Sequence, residues 1–292
     1  MVYFLIFNIV FNINPWLQES NAASNYEVTY KETLDNNSPI PLDREAKLIY
    51  SAGESLYYSA RAEKHGLKGK DWKGNNINAQ SFSSSSSSKD YVEGGLLFRT
   101  YAVDPFGNCV YISYFNKIMK VRSMDELTII YDEPTIPKMK WDVFKDSTLQ
   151  VGKYNCIKAR TNFRGREYDV WFTPEIPINI GPWKLNGLPG LILKAEDIDG
   201  KIKFDLIQIK TQVEKMDMSR DIKNWTGKKC NFEESKTIGL EWAIKNWIKS
   251  SNLSFRQGSV LILNINLNDY IERYSEEHNL ILKKYRQYLT IK

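Results

Sequence analysis

Tyr154-Asn-Cys-Ile-Lys-Ala-Arg-Thr-Asn-Phe163, Arg164-Gly165-Arg166, Glu167-Tyr-Asp-Val-Trp-Phe-Thr173 is the stretch that decides the fold class. β-Branched and aromatic side chains run through both arms, and a short glycine-bearing link joins them, as in two strands of a hairpin. Pro174-Glu175-Ile176-Pro177 follows. Proline cannot donate to a ladder, so the chain has to leave the sheet interior there. Gly181-Pro182-Trp183 and Gly187-Leu188-Pro189-Gly190 come next. Two glycines bracketing Leu-Pro predict a tight turn with unusual dihedrals or a close approach to another segment. Leu191–Leu193 re-enters a strand, and Asp199-Gly200 reads as a two-residue hairpin turn into a strand over Lys201–Lys210.

Working outward, strand patterns recur at Tyr26–Tyr30, Ala46–Tyr50, Ser55–Ala60, Gly95–Val103, Cys109–Phe115, Lys117–Arg122, Leu127–Tyr131 and Lys140–Phe144, with turn residues between them. Lys64–Lys89 breaks the pattern with Gly, Lys, Asn and six serines, Ser83–Ser88. It lacks the apolar surface to order itself and is expected to be a flexible insertion. Toward the carboxyl terminus the period becomes helical over Glu233–Lys249, where Ile238, Trp242 and Ile248 share part of a face that Leu240, Ile244 and Trp247 widen. A strand over Ser259–Leu267 precedes a last helix over Asn268–Tyr288 with Ile271, Tyr274, His278, Ile281 and Tyr285 near one stripe, His278 partly exposed, and Asn268 as its cap. The expected architecture is α+β, mainly β: a strongly bent antiparallel sheet or incomplete β-barrel with carboxyl-terminal helices over an open side. The β domain is placed at 24–215 and a helix-rich segment packed on it at 216–292.

The 292 residues suffice for a sizeable core, and 42% apolar with 26% charged residues is ordinary for a folded chain. Forty basic residues against 35 acidic give +5, with the signs interleaved and no basic run or helix, which argues against nucleic-acid binding. Two histidines, His65 and His278, lie far apart in polar surroundings. Histidine-based nucleophilic catalysis and a His-rich zinc site therefore find no support. Cys109, Cys156 and Cys230 have no C-x-x-C spacing, and whether any two form a disulfide is open. No metal or cofactor is expected.

Val2–Phe11 is almost wholly apolar, too short to span a bilayer but suited to the core of a signal peptide, with small residues at Asn21–Ser24 for cleavage. No Lys or Arg precedes the run, which departs from that pattern, and a buried first strand is the alternative. Residues 1–23 are expected to be a signal peptide and the mature chain to lack a transmembrane span; no cysteine follows the run to carry a lipid.

Gly187-Leu-Pro-Gly-Leu-Ile192 resembles the signature of the GLPGLI family. The likeness extends to Trp141, Gly152-Lys-Tyr-Asn-Cys156-Ile-Lys-Ala159, Phe163–Arg166, Trp171–Ile178, Gly181–Trp183 and Asp197 with Asp199-Gly200, all in the family's order, with Lys153 inserted between glycine and tyrosine. It spans about Trp141–Ile209, with a weaker echo over Tyr26–Tyr58. The resemblance implies an exported protein of Gram-negative envelopes, periplasmic or associated with the outer membrane and often encoded beside outer-membrane transport systems. No activity or substrate comes with it.

Lys158 and Arg160 share a face at period two, and Arg164 and Arg166 continue near the turn, so four cations could receive a carboxylate, phosphate or lipid headgroup. The same cations would equally pair with Glu167, Asp169 and Glu175 across the hairpin. Trp171, Phe172, Trp183 and Leu188 could line a ligand pocket or partner surface, or simply pack on the prolines; Gly181, Pro182, Gly187, Pro189 and Gly190 would shape the turn. Cys156 is expected to be buried or bridged; a reactive thiol would need Lys158, two residues on, as its cation. Asp197-Ile-Asp199-Gly200 starts like a calcium loop but lacks later ligands. The expected function is non-catalytic: an envelope binding or carrier protein for a small apolar or anionic ligand. The alternative is a module docking on an outer-membrane transport or assembly protein, with Trp183 and Leu188 forming an exposed apolar patch.

Overall fold

The computed structural model describes residues 25–34, 42–59, 67–70, 76–79, 107–124, 127–211, 218–254 and 272–285. The strands are β1 (Tyr26–Leu34), β2 (Leu42–Ser51), β3 (Glu54–Ser59), β4 (Leu67–Lys70), β5 (Asn76–Ala79), β6 (Asn108–Ser113), β7 (Ile118–Met124), β8 (Thr128–Glu133), β9 (Asp142–Val151), β10 (Tyr154–Phe163), β11 (Arg166–Thr173), β12 (Leu191–Asp197), β13 (Ile202–Thr211) and β14 (Lys228–Lys229). The helices are α1 (Met218–Lys223), α2 (Phe232–Ser235), α3 (Ile238–Ser254) and α4 (Ser275–Lys284). Twelve strands form one bent, unclosed sheet in the order β14-β8-β7-β6-β3-β2-β1-β13-β12-β11-β10-β9. Every pairing is antiparallel except β14 on β8. The mainly β architecture with short carboxyl-terminal helices is the one the sequence predicts.

Two-residue hairpins account for much of the meander. Ala52-Gly53 and Arg164-Gly165 both have positive φ at each central position, the twist that matches the flanking strands. β1 then closes onto β13, which joins the first half of the chain to the second. Register shifts occur in the β1–β13, β9–β10 and β11–β12 pairs, and such bulges bend a sheet.

One face carries the large core, with Val28, Tyr30, Leu48, Tyr57, Val110, Val121, Val170, Phe172, Leu193 and Phe204 packed together. The loop between β11 and β12 lies in this core too, contributing Ile176, Ile178, Ile180, Trp183, Leu185 and Leu188. Alternate residues of β2, β3 and β6 face the other way: Ile49, Leu56, Tyr58, Cys109 and Tyr111 pack with Met218 of α1 and Trp225. Buried Arg122 secures this layer, donating from Nε to the Thr226 carbonyl (2.8 Å) and from Nη1 to that of Gly107 (2.5 Å).

Several expectations change. The stretch expected as one helix over Glu233–Lys249 is two: the Asn231 capping box starts the short α2, which ends at the Lys236 cap before α3 begins. Trp242 is exposed, and Leu240 with Ile244 makes the buried stripe against Leu282. The last helix is shorter, Ser275–Lys284, and His278 is buried rather than partly exposed, its Nε2 2.8 Å from the Lys236 carbonyl. Inside the Ser-rich insertion, β4 and β5 pair as a separate two-stranded sheet. The signal-peptide reading, the strands at 95–103 and 259–267 and the Asn268 cap lie outside the described residues.

The Gly-Leu-Pro-Gly segment has a steric reason. A Cβ on Gly190 would sit 2.2 Å from the Thr173 carbonyl oxygen, and one on Gly181 would sit 2.8 Å from the Ile192 side chain. Gly190→Ala is therefore expected to destabilise by about 3 kcal/mol, since backbone cannot yield to it. Gly152→Ala, at φ +61 with nothing within 4 Å of the new methyl, should cost only about 1 kcal/mol. Urea unfolding of both variants checks the difference.

Candidate functional site

The loop over 174–190 is held as an irregular hairpin on the core face. The amide of Gly187 donates to Asn179 O (3.0 Å), Ile180 and Asn186 form a bridge, and Ile192 N donates to Ile180 O (3.0 Å). The Trp141 indole donates to Asn186 O at 3.0 Å, tying in the segment before β9. At the turn, Trp183 takes φ +55, uncommon for a bulky residue and retained because its ring is buried edge-on against Tyr57.

This turn delivers Lys184 into the interior, where its side chain is 0% exposed. The ammonium donates to the Tyr131 hydroxyl (2.7 Å) and meets Glu133 Oε1 (2.7 Å) and Glu272 Oε1 (2.5 Å). Arg164, from the β10–β11 turn, reaches Glu133 Oε2 at 2.7 Å and stacks 4.7 Å from the Phe232 ring centroid. The Tyr274 hydroxyl (2.5 Å) and the Trp183 indole (3.3 Å) both donate to Glu272. Two cations and two carboxylates thus meet in one buried network.

Burial works against the Lys184 charge, but Glu272 and Glu133 outweigh it and hold the ammonium above its ordinary pKa. Burial likewise opposes the Glu272 charge, and Lys184 overrides it, so that carboxyl sits below its usual range. Both shifts favour the charged forms, which suits a structural ion cluster rather than an acid or base poised near neutrality.

The structure disperses the four cations of the hairpin. Lys158 pairs with Asp169 at 2.8 Å, and Arg160 grips the same carboxylate through Nε (2.6 Å) and Nη2 (2.8 Å) while reaching Glu167 at 3.1 Å. Arg166 is buried against buried Asp197, and Arg164 turns to Glu133. Each cation therefore meets a carboxylate of the chain itself. Glu175 accepts from the Asn155 amide instead (2.8 Å). Trp171 is half-buried between Lys158 and Lys194, while Phe172, Trp183 and Leu188 are buried in the core. The exposed Trp183–Leu188 patch is thus absent, because both side chains anchor the loop to the sheet. Gly181, Pro182 and Gly190 are buried, and Gly187, at φ +93, and Pro189 are exposed at the loop's rim.

The reactive-thiol geometry for Cys156 fails for a defined reason. The Cys156 side chain lies in the core, whereas Lys158 is partly exposed and pairs with Asp169. Burial pushes the thiol up to about 11. All three cysteines are free. Among the described residues, no group of three or more His, Cys, Asp or Glu side chains could hold a metal ion. The Asp197 carboxylate accepts from the amides of Lys201 (2.7 Å) and Ile202 (2.8 Å), so this acidic stretch shapes the turn, which takes four residues rather than two.

Sequence reasoning missed Lys184, Glu133, Glu272, Tyr131 and Tyr274. Only Lys184 carried a signal, a lone cation inside the apolar run from Ile176 to Leu193. Glu133 and Glu272 lie at ordinary polar positions that only folding brings together.

A family model described as a protein of unknown function (Porph_ging) matches residues 164–194, the span from the β10–β11 turn through the loop to β12. No curated protein matches the chain. Two structures of PNGF-II, in C2 and P21 space groups, are similar over 75% of this chain at 16% and 17% identity, with TM-scores of 0.48 and 0.47. This chain spans 33% of the PNGF-II chain. A Vibrio parahaemolyticus domain described as an outer-membrane lipoprotein-sorting protein aligns over 68% of this chain and 90% of its own, at 9% identity and a TM-score of 0.26.

Lys184→Met is expected to destabilise by about 3–5 kcal/mol, because it leaves two carboxylates buried around a missing cation. Asp169→Asn, at a partly exposed ladder, should cost less than about 1 kcal/mol. Guanidinium unfolding distinguishes the two. The depressed Glu272 carboxyl contributes stability that is full above 4.5, the ordinary glutamate value, and is lost as pH falls below it. The melting temperature of the unaltered chain should therefore fall more steeply below that pH than that of Glu272→Gln, a comparison made by calorimetry across pH 3–7.

Proposed function

We propose that this chain is an exported envelope protein of the GLPGLI family, non-catalytic, that docks on a partner protein of the periplasm or outer membrane. Residues 1–23 are its signal peptide, 24–215 its β domain and 216–292 a segment packed on that domain. The order of sequence elements from Trp141 to Ile209 supports the family reading. No helix among the described residues is long and apolar enough to cross a membrane.

The observation that carries docking is the edge strand β9. Among the described residues it pairs only with β10, and along its ten residues every side chain but the last is exposed. Val143 (41%), Phe144 (43%) and Leu149 (39%) offer apolar surface beside main-chain groups of an open sheet edge. Phe144 and Thr148 oppose successive residues of β10, which leaves Lys145-Asp146-Ser147 out of the ladder. This charged bulge interrupts the edge and opposes open-ended self-addition. Thr148–Val151 pairs regularly with β10 and leaves its outer rim for a short partner strand.

A small-molecule carrier needs a cavity of about 300–1,000 Å³. Among the described residues, the loop over 174–190 occupies the core face itself, and the cavity beside Trp183 measures about 40 Å³. Surface docking therefore suits the geometry better than internal carriage.

A photo-crosslinking amino acid at Leu149, in protein expressed in its own envelope, should give one discrete protein adduct. The same group at Ile207, exposed on β13, should give none. No adduct at Leu149, or a stoichiometric small molecule released on denaturation in native mass spectrometry, would sink the docking reading.

A further inference from the structure

Glu272-Arg273-Tyr274 meets the sheet ahead of α4 and is held at every residue. The Glu272 carboxylate lies against Lys184 (2.5 Å) and Trp183 (3.3 Å). The Arg273 guanidinium pairs with Asp199 at 2.7 Å, and its amide donates to Arg164 O at 2.8 Å. The Tyr274 ring lies 5.6 Å from the Arg164 guanidinium. All the receiving groups belong to the β10–β11 turn, the β11–β12 loop and the β12–β13 turn.

Three features separate this from ordinary tertiary packing. Without Glu272, buried Lys184 and half-buried Arg164 would face Glu133 alone, two cations to one carboxylate, an arrangement that requires an anion. The Arg164-Gly165 turn is relieved for a passing backbone: a Cβ on Gly165 would lie 2.5 Å from the Arg273 carbonyl oxygen. The fit is also incomplete, since the cavity of about 40 Å³ is lined by Trp183, Glu272, Tyr274 and His278 where close packing is the rule.

We propose that the Lys184–Arg164 pocket is a peptide-recognition site filled in cis by residues 272–274, and that its trans ligand is an extended segment of a partner protein in which a carboxylate precedes a basic residue and a tyrosine. The site is distinct from the β9 edge and stands without it. A ligand reaching the pocket competes with the tethered segment, so its apparent affinity is reduced by the fraction of molecules in which that segment is released.

The test uses the full chain and a fluorescent synthetic peptide of residues 268–278, followed by anisotropy. The Glu272→Gln chain is expected to bind this peptide at least about tenfold more tightly than the unaltered chain. A peptide carrying the same glutamate-to-glutamine change should lose that gain. Arg273→Ala, which breaks the partly exposed Asp199 contact and leaves the pocket intact, should shift binding in the same direction even if Glu272→Gln folds poorly. Equal or absent binding across all three chains would overturn the proposal. A Glu272→Gln chain that forms a dimer unaffected by the peptide would also overturn it, assigning the pocket to a second copy.

Discussion

The buried contact of Lys184 with Glu133 and Glu272, extended by Arg164, is the constraint on which the rest of this architecture depends. β8 and β10 lie near opposite ends of the strand order, yet Arg164 from the β10 turn reaches Glu133 at the end of β8. The sheet therefore bends until its two ends meet through side chains, without the backbone pairing that would close a barrel. Ion pairs are a selective way to do this. Breaking one leaves a buried charge unmatched, so the cluster disfavours other curvatures strongly even where its net contribution to stability is small.

The β11–β12 loop follows from the same geometry. A sheet bent this far with an open interior would expose the apolar face of half its strands. The chain fills that space with Ile176, Ile178, Ile180, Trp183, Leu185 and Leu188, at alternate positions where the loop runs extended. Gly181 and Gly190 permit the close approaches to Ile192 and Thr173 that seat the loop. A motif that looks from its rarity like a binding signature thus has a packing explanation for nearly every residue. The β9 edge, with Val143, Phe144 and Leu149 exposed, stands apart from this packing.

The alternation of β10 and β11, the exits at Pro174 and Pro177 and the turn chemistry at Arg164-Gly165 were legible because strand period and proline geometry are local. Strand ends agree closely at β10 and less well at β9, whose bulge residues Lys145-Asp146-Ser147 look like a turn. The cation ladder was legible as residues but not as a site. Period two places Lys158 and Arg160 together, and of the two readings open to them the hairpin register selects pairing with Glu167 and Asp169. Cys156, expected to be buried or bridged, is buried and free, while Lys158, expected two residues on along the same face, pairs with Asp169 instead.

By itself the sequence determined an antiparallel meander with carboxyl-terminal helices, turns between its strands, and a loop rich in glycine and proline between two core strands. These rest on interactions between residues near in the chain, where propensity and steric limits act directly. Only the tertiary structure decided which face the loop covers, that Lys184 is buried, and that Glu133 and Glu272 meet there from positions far apart in the chain. Glu133 and Glu272 carry no local sign of burial, and the apolar run around Lys184 does not name its partners. Whether a charged residue lies in water or in the core is set by where distant partners arrive, and that is known only once the sheet has bent.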